Sequence, residues 1–213
     1  MIEERENILA RVREALRSPA HKPPSRGGEP RDWLPVVESV VDLFRANAAD
    51  LRAAFHLTES QAAWAPLLRE RAIAEGWKRV ATHRGALTDA VVEQIALPTL
   101  QTDDGYDTRD LERCDVGITE CDALIAQTGS VLITSRSAGG RALSVLPPHH
   151  VVLARRDQLI ADLPAAFALI ASKYANNYPS FISLITGPSR TGDIERILVL
   201  GAHGPKKLTI LCA

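Results

Sequence analysis

Between Ala53 and His83 an apolar strand-like run, a helical stretch and a second apolar run follow one another within about 30 residues. Ala53-Ala-Phe-His-Leu-Thr58 and Lys78-Arg-Val-Ala-Thr-His83 are the strands, and Gln61 to Glu75 is the helix, with Gly76 as its C-cap. Strands joined through a helix of that length form a parallel crossover unit rather than a hairpin. This commits the chain to an α/β architecture.

The remaining runs extend that sheet. Asp115-Val-Gly-Ile-Thr119, Ala123-Leu-Ile-Ala126 and Ser130-Val-Leu-Ile-Thr134 are strand-like, and Gln127-Thr-Gly129 separates the last two in the manner of a hairpin. Val151 to Ala154, Phe181 to Thr186, Ile197 to Leu200 and Leu208 to Leu211 complete the strands. Helical spacing runs from Trp33 to about Ala49 and from Leu163 to Ala175, the latter opened by Asp162 as N-cap. A short amphipathic helix over residues 2–17 carries Ile2, Ile8, Leu9, Val12 and Leu16 near one stripe. The prolines and glycines that follow it, up to Pro30, read as a linker. The expected organisation is an N-terminal helix and Pro/Gly-rich linker over 1–30, then an α/β domain over 31–213 with a mainly parallel sheet flanked by helices.

At 213 residues and 46% hydrophobic the chain can bury a full core. A net charge of -1 and a pI near 6.6 lack the basic excess that nucleic acid or an anionic membrane requires, so neither is an expected partner. Cys114, Cys121 and Cys212 are odd in number and without C-x-x-C spacing, so no disulfide framework, zinc site or iron-sulfur cluster is expected in this chain. An acidic start, Met1-Ile-Glu-Glu-Arg-Glu6, and no run of about 18 apolar residues lead to the expectation of a soluble, cytoplasmic protein. No G-x-G-x-x-G or G-x-x-x-x-G-K-[ST] occurs, which leaves dinucleotide and P-loop sites without support.

The chemistry gathers in loops. Thr186-Gly-Pro-Ser-Arg-Thr-Gly-Asp-Ile-Glu195 follows a strand, and Gly201-Ala-His-Gly-Pro205 follows the next. Turn residues that bring main-chain N–H groups and an arginine together make an anion pocket, and a capped turn with Arg190 paired to Asp193 or Glu195 is the plainer alternative. Ala126-Gln-Thr-Gly-Ser-Val131 can present hydroxyl and N–H donors, or be a simple hairpin turn. Ser137-Ala-Gly-Gly-Arg141 is a glycine loop able to close on a ligand, or a surface loop with a solvated arginine. In Leu146-Pro-Pro-His-His-Val151 strand alternation sends His149 and His150 to opposite faces, so at most one reaches a common pocket. No H-x-x-x-H, H-E-x-x-H or carboxylate cluster exists, and a metal site is not expected.

On these segments the chain resembles the LUD-domain family, in particular its lactate-utilisation members. Ile125-Ala-Gln-Thr-Gly-Ser130, Gly140-Arg141, Leu146-Pro-Pro-His-His-Val151, Gly187-Pro-Ser-Arg-Thr-Gly-Asp-Ile-Glu195 and Gly201-Ala-His-Gly-Pro205 carry the resemblance in order over roughly 100 residues. It implies a fold like the sugar-phosphate isomerases and CoA transferases, with loops that hold phosphate or carboxylate. It also implies a part in oxidising L-lactate to pyruvate beside partner proteins that carry the iron-sulfur clusters, with no cofactor in this chain.

Carried over residue by residue, the resemblance implies a ligand set of Thr128, Gly129, Ser130, Arg141, Ser189, Arg190, Thr191 and Asp193. His150, His203 and Glu195 are the catalytic candidates, and His150 matches the family histidine, leaving His149 as the extra one. Gln127 departs from the glutamate expected there, and an amide cannot act as a general base or nucleophile. The expected function is therefore an accessory or substrate-handling component that binds a small carboxylate or phosphate, with self-association open. The alternatives are a stand-alone isomerase or acyl/CoA transferase and a non-catalytic scaffold that uses the N-terminal helix.

Overall fold

Where a helix separates two strands they run parallel, and where only a turn does they run antiparallel; the described strands form a six-stranded parallel sheet, a four-stranded sheet with antiparallel pairs and the short antiparallel pair of Arg190–Thr191 with Val199–Leu200. The structure, a computed structural model, describes residues 2–17, 38–191, 199–201 and 203–213. The chain divides into a unit over Met1–Val36 and a unit over Val37–Ala213. The first holds α1 (Ile2–Arg17), on which Ile8, Val12 and Leu16 form an exposed stripe at helical spacing. The expected linker lies outside the described residues.

In the second unit α2 (Val40–Asp50) starts later than the apolar pattern from Trp33 predicts. Ser39 is extended and its hydroxyl accepts the Asp42 N–H, which sets the first turn at Val40; residues 33–37 lie outside the described residues. Next come β1 (Ala54–Leu57), α3 (Trp64–Glu75) with its left-handed C-cap at Gly76, and β2 (Val80–Thr82). Residues 84–114, unassigned from the sequence, hold α4 (Ala86–Ile95), β3 (Thr99–Gln101) and α5 (Thr108–Glu112). They are followed by β4 (Val116–Glu120), β5 (Ala123–Ile125), β6 (Ser130–Thr134), β7 (His149–Ala154) and β8 (Leu159–Ile160). The last elements are α6 (Leu163–Lys173), β9 (Ile182–Ile185), β10 (Arg190–Thr191), β11 (Val199–Leu200) and β12 (Lys207–Cys212).

A six-stranded sheet in the order β1-β12-β7-β4-β2-β3 is parallel at every pairing. The crossover from β1 to β2 is present, but β12, β7 and β4 lie between the two strands. A separate four-stranded sheet, β8-β5-β6-β9, is antiparallel at β5–β6 and β6–β9. The expectation of one mainly parallel sheet thus holds for six strands. The second sheet arises because the chain leaves β4 at Cys121 and returns on itself through the short Gln127–Gly129 turn.

Alternation along the central strands separates the core into layers. Val151 and Leu153 of β7 face Trp64 and Leu68 of α3 and Leu87 and Val91 of α4. Val152 and Ala154 face the opposite way, among Leu124, Val131 and Ile133 of the smaller sheet and Phe44 of α2. The outer face of the smaller sheet, at Ala123, Ile125 and Leu132, packs under α6 through Ala166, Ile170 and Tyr174. Phe44 is fully buried, edge-on to Phe55 with ring centroids 4.9 Å apart, and its burial alone contributes about 2–3 kcal/mol.

Candidate functional site

Gly129 takes a φ of +63° in the turn between β5 and β6, and that turn is bound from three sides. Asn47 of α2 donates to the carbonyls of Ala126 (2.7 Å) and Gln127 (3.1 Å). The N–H groups of Ala126 and Gln127 go to Ile160 and Ala161, and the Gln127 side chain accepts the Leu163 N–H at the start of α6 (3.1 Å). Gln127 therefore does the work of a helix-end acceptor, which needs an oxygen and no charge. Ser130 Oγ lies 2.8 Å from Thr186 Oγ1 and ties this turn to the end of β9, whereas the buried Thr128 hydroxyl has no partner among the described residues.

From Thr186 the contacts run on. The Ser189 N–H donates to the Pro205 carbonyl (2.8 Å) and the Gly201 N–H to the Ser189 carbonyl (3.0 Å), while Arg190–Thr191 pairs antiparallel with Val199–Leu200. The Lys206 N–H then donates to the Pro148 carbonyl (2.7 Å). One line of contacts thus joins Thr128, Gly129 and Ser130 to Ser189, Arg190 and Thr191, to the loop of His203, and to the double proline. Arg190 and His203 are exposed. Asp193 and Glu195 lie outside the described residues.

Two members of the expected set are placed elsewhere. Arg141 donates to the Ser180 carbonyl (2.7 Å), beside the Ser135–Phe181 end of the β6–β9 pair, while the Thr128–Ser130 turn sits at the opposite end of that pair. His150 is buried between the sheets on Thr119 (2.9 Å), and burial holds it neutral with a pKa near 3. It is thus sealed from the exposed loops and poorly suited to exchange protons near neutral pH.

His149 does turn to the opposite face. Its Nδ1 faces Glu75 Oε2 (3.1 Å), which only accepts, so Nδ1 carries the proton and Nε2 accepts from the Thr209 hydroxyl (2.8 Å). Trp77 packs edge-on against the imidazole, and burial lowers its pKa to about 4 despite Glu75. Glu75 also meets Lys207 (3.0 Å) and Arg71 (3.3 Å). Burial opposes its charge, but Lys207 and His149 outweigh burial and hold the carboxyl below the usual range. A cleft of about 410 Å³ at His56, Arg71 and Glu75 and one of about 180 Å³ at Trp77, His149, Lys206 and Lys207 share Glu75. The smaller cleft adjoins the loop group through Pro148 and Lys206. Thr209, His149 and Glu75 are ordered like a nucleophile, base and orienting acid, yet Thr209 is buried in a central strand and sealed from solvent.

A second polar region lies at the carboxyl ends of β2 and β4. There the chain turns outward from β2 to β3 and the other way from β4 to β7, the place where α/β sheets commonly bind ligands. Glu120 accepts the N–H groups of Leu87 (2.7 Å) and Thr88 (3.4 Å), and so fills the amino end of α4 with the protein's own carboxylate. Its backbone N–H donates to His83 Nε2 (3.2 Å), while His83 Nδ1 donates to the Arg84 carbonyl (3.0 Å). Gly139, at a φ of +61°, lies directly against the His83 side chain.

Nearby in sequence, Asp122 is buried and accepts from Lys173 Nζ (2.6 Å) and Tyr174 (2.7 Å). Burial raises its pKa, but those bonds and the Lys173 charge hold it below the carboxylate range. Its Oδ2 makes no hydrogen bond within 3.5 Å among the described residues, although the Ser137 hydroxyl stands near enough to help stabilise the charge. The sequence reading missed His83, Glu120, Asp122 and Glu75. The only available signal was position, since each stands at the end of a strand or helix beside a turn.

Residues 41–212 match the LUD domain. A protein of Neisseria meningitidis serogroup B is 32% identical over 97% of this chain and 92% of its own length. Lactate utilization protein C of Anoxybacillus flavithermus is 37% identical over 47% of this chain and 44% of its own length, and that of Bacillus subtilis is 37% identical over 45% and 41%. The chain thus spans about half or less of the lactate utilization relatives it matches. The crystal structure of a DUF162 family protein from Deinococcus radiodurans shares the fold, with a TM-score of 0.62 at 19% identity, over 84% of this chain and 99% of that one. This chain belongs to the LUD domain family.

Proposed function

We propose that this chain is an accessory, substrate-handling component of a multi-protein L-lactate oxidation system, in which iron-sulfur clusters reside on partner proteins. The observation that carries the reading is the likeness to lactate utilization protein C from several bacteria. A cluster needs about four thiolate ligands, and Cys114, Cys121 and Cys212 are each buried with no metal-holding group among the described residues. In this reading the clusters are carried by the partner chains. We further assign to the fold a sugar-phosphate isomerase and CoA transferase type of ligand binding, at loops beside strand ends.

In this reading the ligand is a small carboxylate held at the Thr128–Ser130 and Ser189–Thr191 loops. The exposed Arg190 guanidinium clamps the carboxylate, and the Thr128 hydroxyl, which has no partner among the described residues, is the donor for the ligand or a water. A stand-alone transferase loses its simplest nucleophile at Gln127, whose amide is engaged with α6. Two measurements test the proposal. Affinity purification of the chain from its native cells should recover iron and lactate-dependent dye reduction; an iron-free, inactive chain from which crosslinking before lysis recovers no partner rejects it. Titration of the complex with L-lactate should show Arg190→Ala weakening binding by about 1.5–3 kcal/mol. Unchanged affinity in a folded variant removes Arg190 from the site.

A further inference from the structure

The strand β9 ends the four-stranded sheet and pairs only with β6 among the described residues. Among the described residues its register leaves a definite set of backbone groups free. The Ser135 N–H donates to the Phe181 carbonyl directly opposite, so the hydrogen-bonded pairs with β6 fall at Phe181, Ser183 and Ile185. The N–H and carbonyl groups of Ile182 and Leu184 consequently point away from the sheet. Their side chains are 43% and 39% exposed, beside Phe167 of α6 at 65%. These three residues border an apolar groove of about 70 Å³ with Leu132 and Ile170.

Edge strands of this kind are ordinarily guarded by a lysine, a proline or a bulge. From Phe181 to Thr186 the sequence has no charged residue and no proline. The segment is also self-complementary. Antiparallel pairing of two copies about Ser183 sets Ile182 of each opposite Leu184 of the other, the two positions whose backbone groups are free. The four-stranded sheets then join into one, with no charges opposed. A two-fold axis normal to the sheet keeps both α6 helices on one face, where each Phe167 lies over the joined edge. Two-fold pairing about Ser183 sets Ser180 of each copy opposite Thr186 of the other, so the ladder is limited at both ends because the Ser180 carbonyl already accepts from Arg141. We propose that β9 is the interface of a homodimer, formed by β9–β9 pairing centred on Ser183.

Light scattering and sedimentation of the full chain over a wide concentration range should give twice the 23.2 kDa chain mass. Ile182→Lys, which places a charge in the joined edge, should return the monomer mass without loss of far-UV circular dichroism. Ser183→Cys tests the register without relying on that variant. Residues at a non-hydrogen-bonded antiparallel pair have Cα atoms about 4.5 Å apart, within disulfide reach, so oxidation should give a covalent dimer. The native thiols are buried and do not compete. A wild-type chain that remains monomeric at every concentration overturns the proposal. So does a dimer that Ile182→Lys leaves intact, or one that Ser183→Cys does not cross-link.

Discussion

Gln127 illustrates how a single residue changes meaning between sequence and structure. Set against the family pattern it is a lost carboxylate; in place, its Oε1 accepts the first N–H of α6. Gln127→Glu retains that acceptor and adds negative charge at a helix amino end, so stability should hold or rise slightly. Gln127→Leu leaves the N–H unsatisfied and should cost about 1–2 kcal/mol in urea denaturation. The adjacent histidines make a second prediction. Burial lowers His149 from 6.5 to about 4 and His150 to about 3, so between those values and 6.5 the unfolded chain binds more protons than the folded one. Stability should therefore rise with pH toward 6.5, and be lost as pH falls below 6.5 through the folded values. For His149 alone the shift is worth about 3 kcal/mol. Urea midpoints measured from pH 7 down to pH 4.5 check the slope, and His149→Gln should reduce it to the part that His150 contributes.

At the scale of elements, the loop group depends on how closely α2 approaches the β5–β6 turn. A Cβ on Gly129 would stand 2.8 Å from the Ala48 nitrogen and the Asn47 carbonyl carbon, both backbone, at a φ that disfavours any side chain. Gly129→Ala should cost about 2 kcal/mol or more and loosen the Asn47 contacts, seen as faster amide exchange over residues 126–130. Most regular elements were legible because their periodicity is strong: α1, α3 with Gly76, β1, β2, β4 to β7 and α6 with Asp162 follow the expected runs. The stretch holding α4, β3 and α5 was not, because those elements are short and β3 carries little apolar signal in Thr99-Leu-Gln101. The start of α2 was set by one serine cap rather than by the hydrophobic pattern.

For the whole molecule, the separation at Val36 makes the second unit a candidate for independent folding. A chain begun at Val37 should unfold in one cooperative transition with a midpoint close to that of the full chain; a broad or absent transition would show that residues 1–36 are required. The sequence by itself determined the parallel α/β character, the opposed faces of His149 and His150, and the loops rich in glycine and hydroxyl groups, since all of these follow from spacing along the chain. Tertiary structure alone decided that β12, β7 and β4 separate β1 from β2, that Arg141 stands at the far end of the β6–β9 pair from the Thr128–Ser130 turn, and that Glu75 lies against His149. The reason is physical. Periodicity reports which face of an element is buried, whereas the order of strands and the meeting of residues 74 positions apart depend on which faces pack together, and local sequence does not encode that choice.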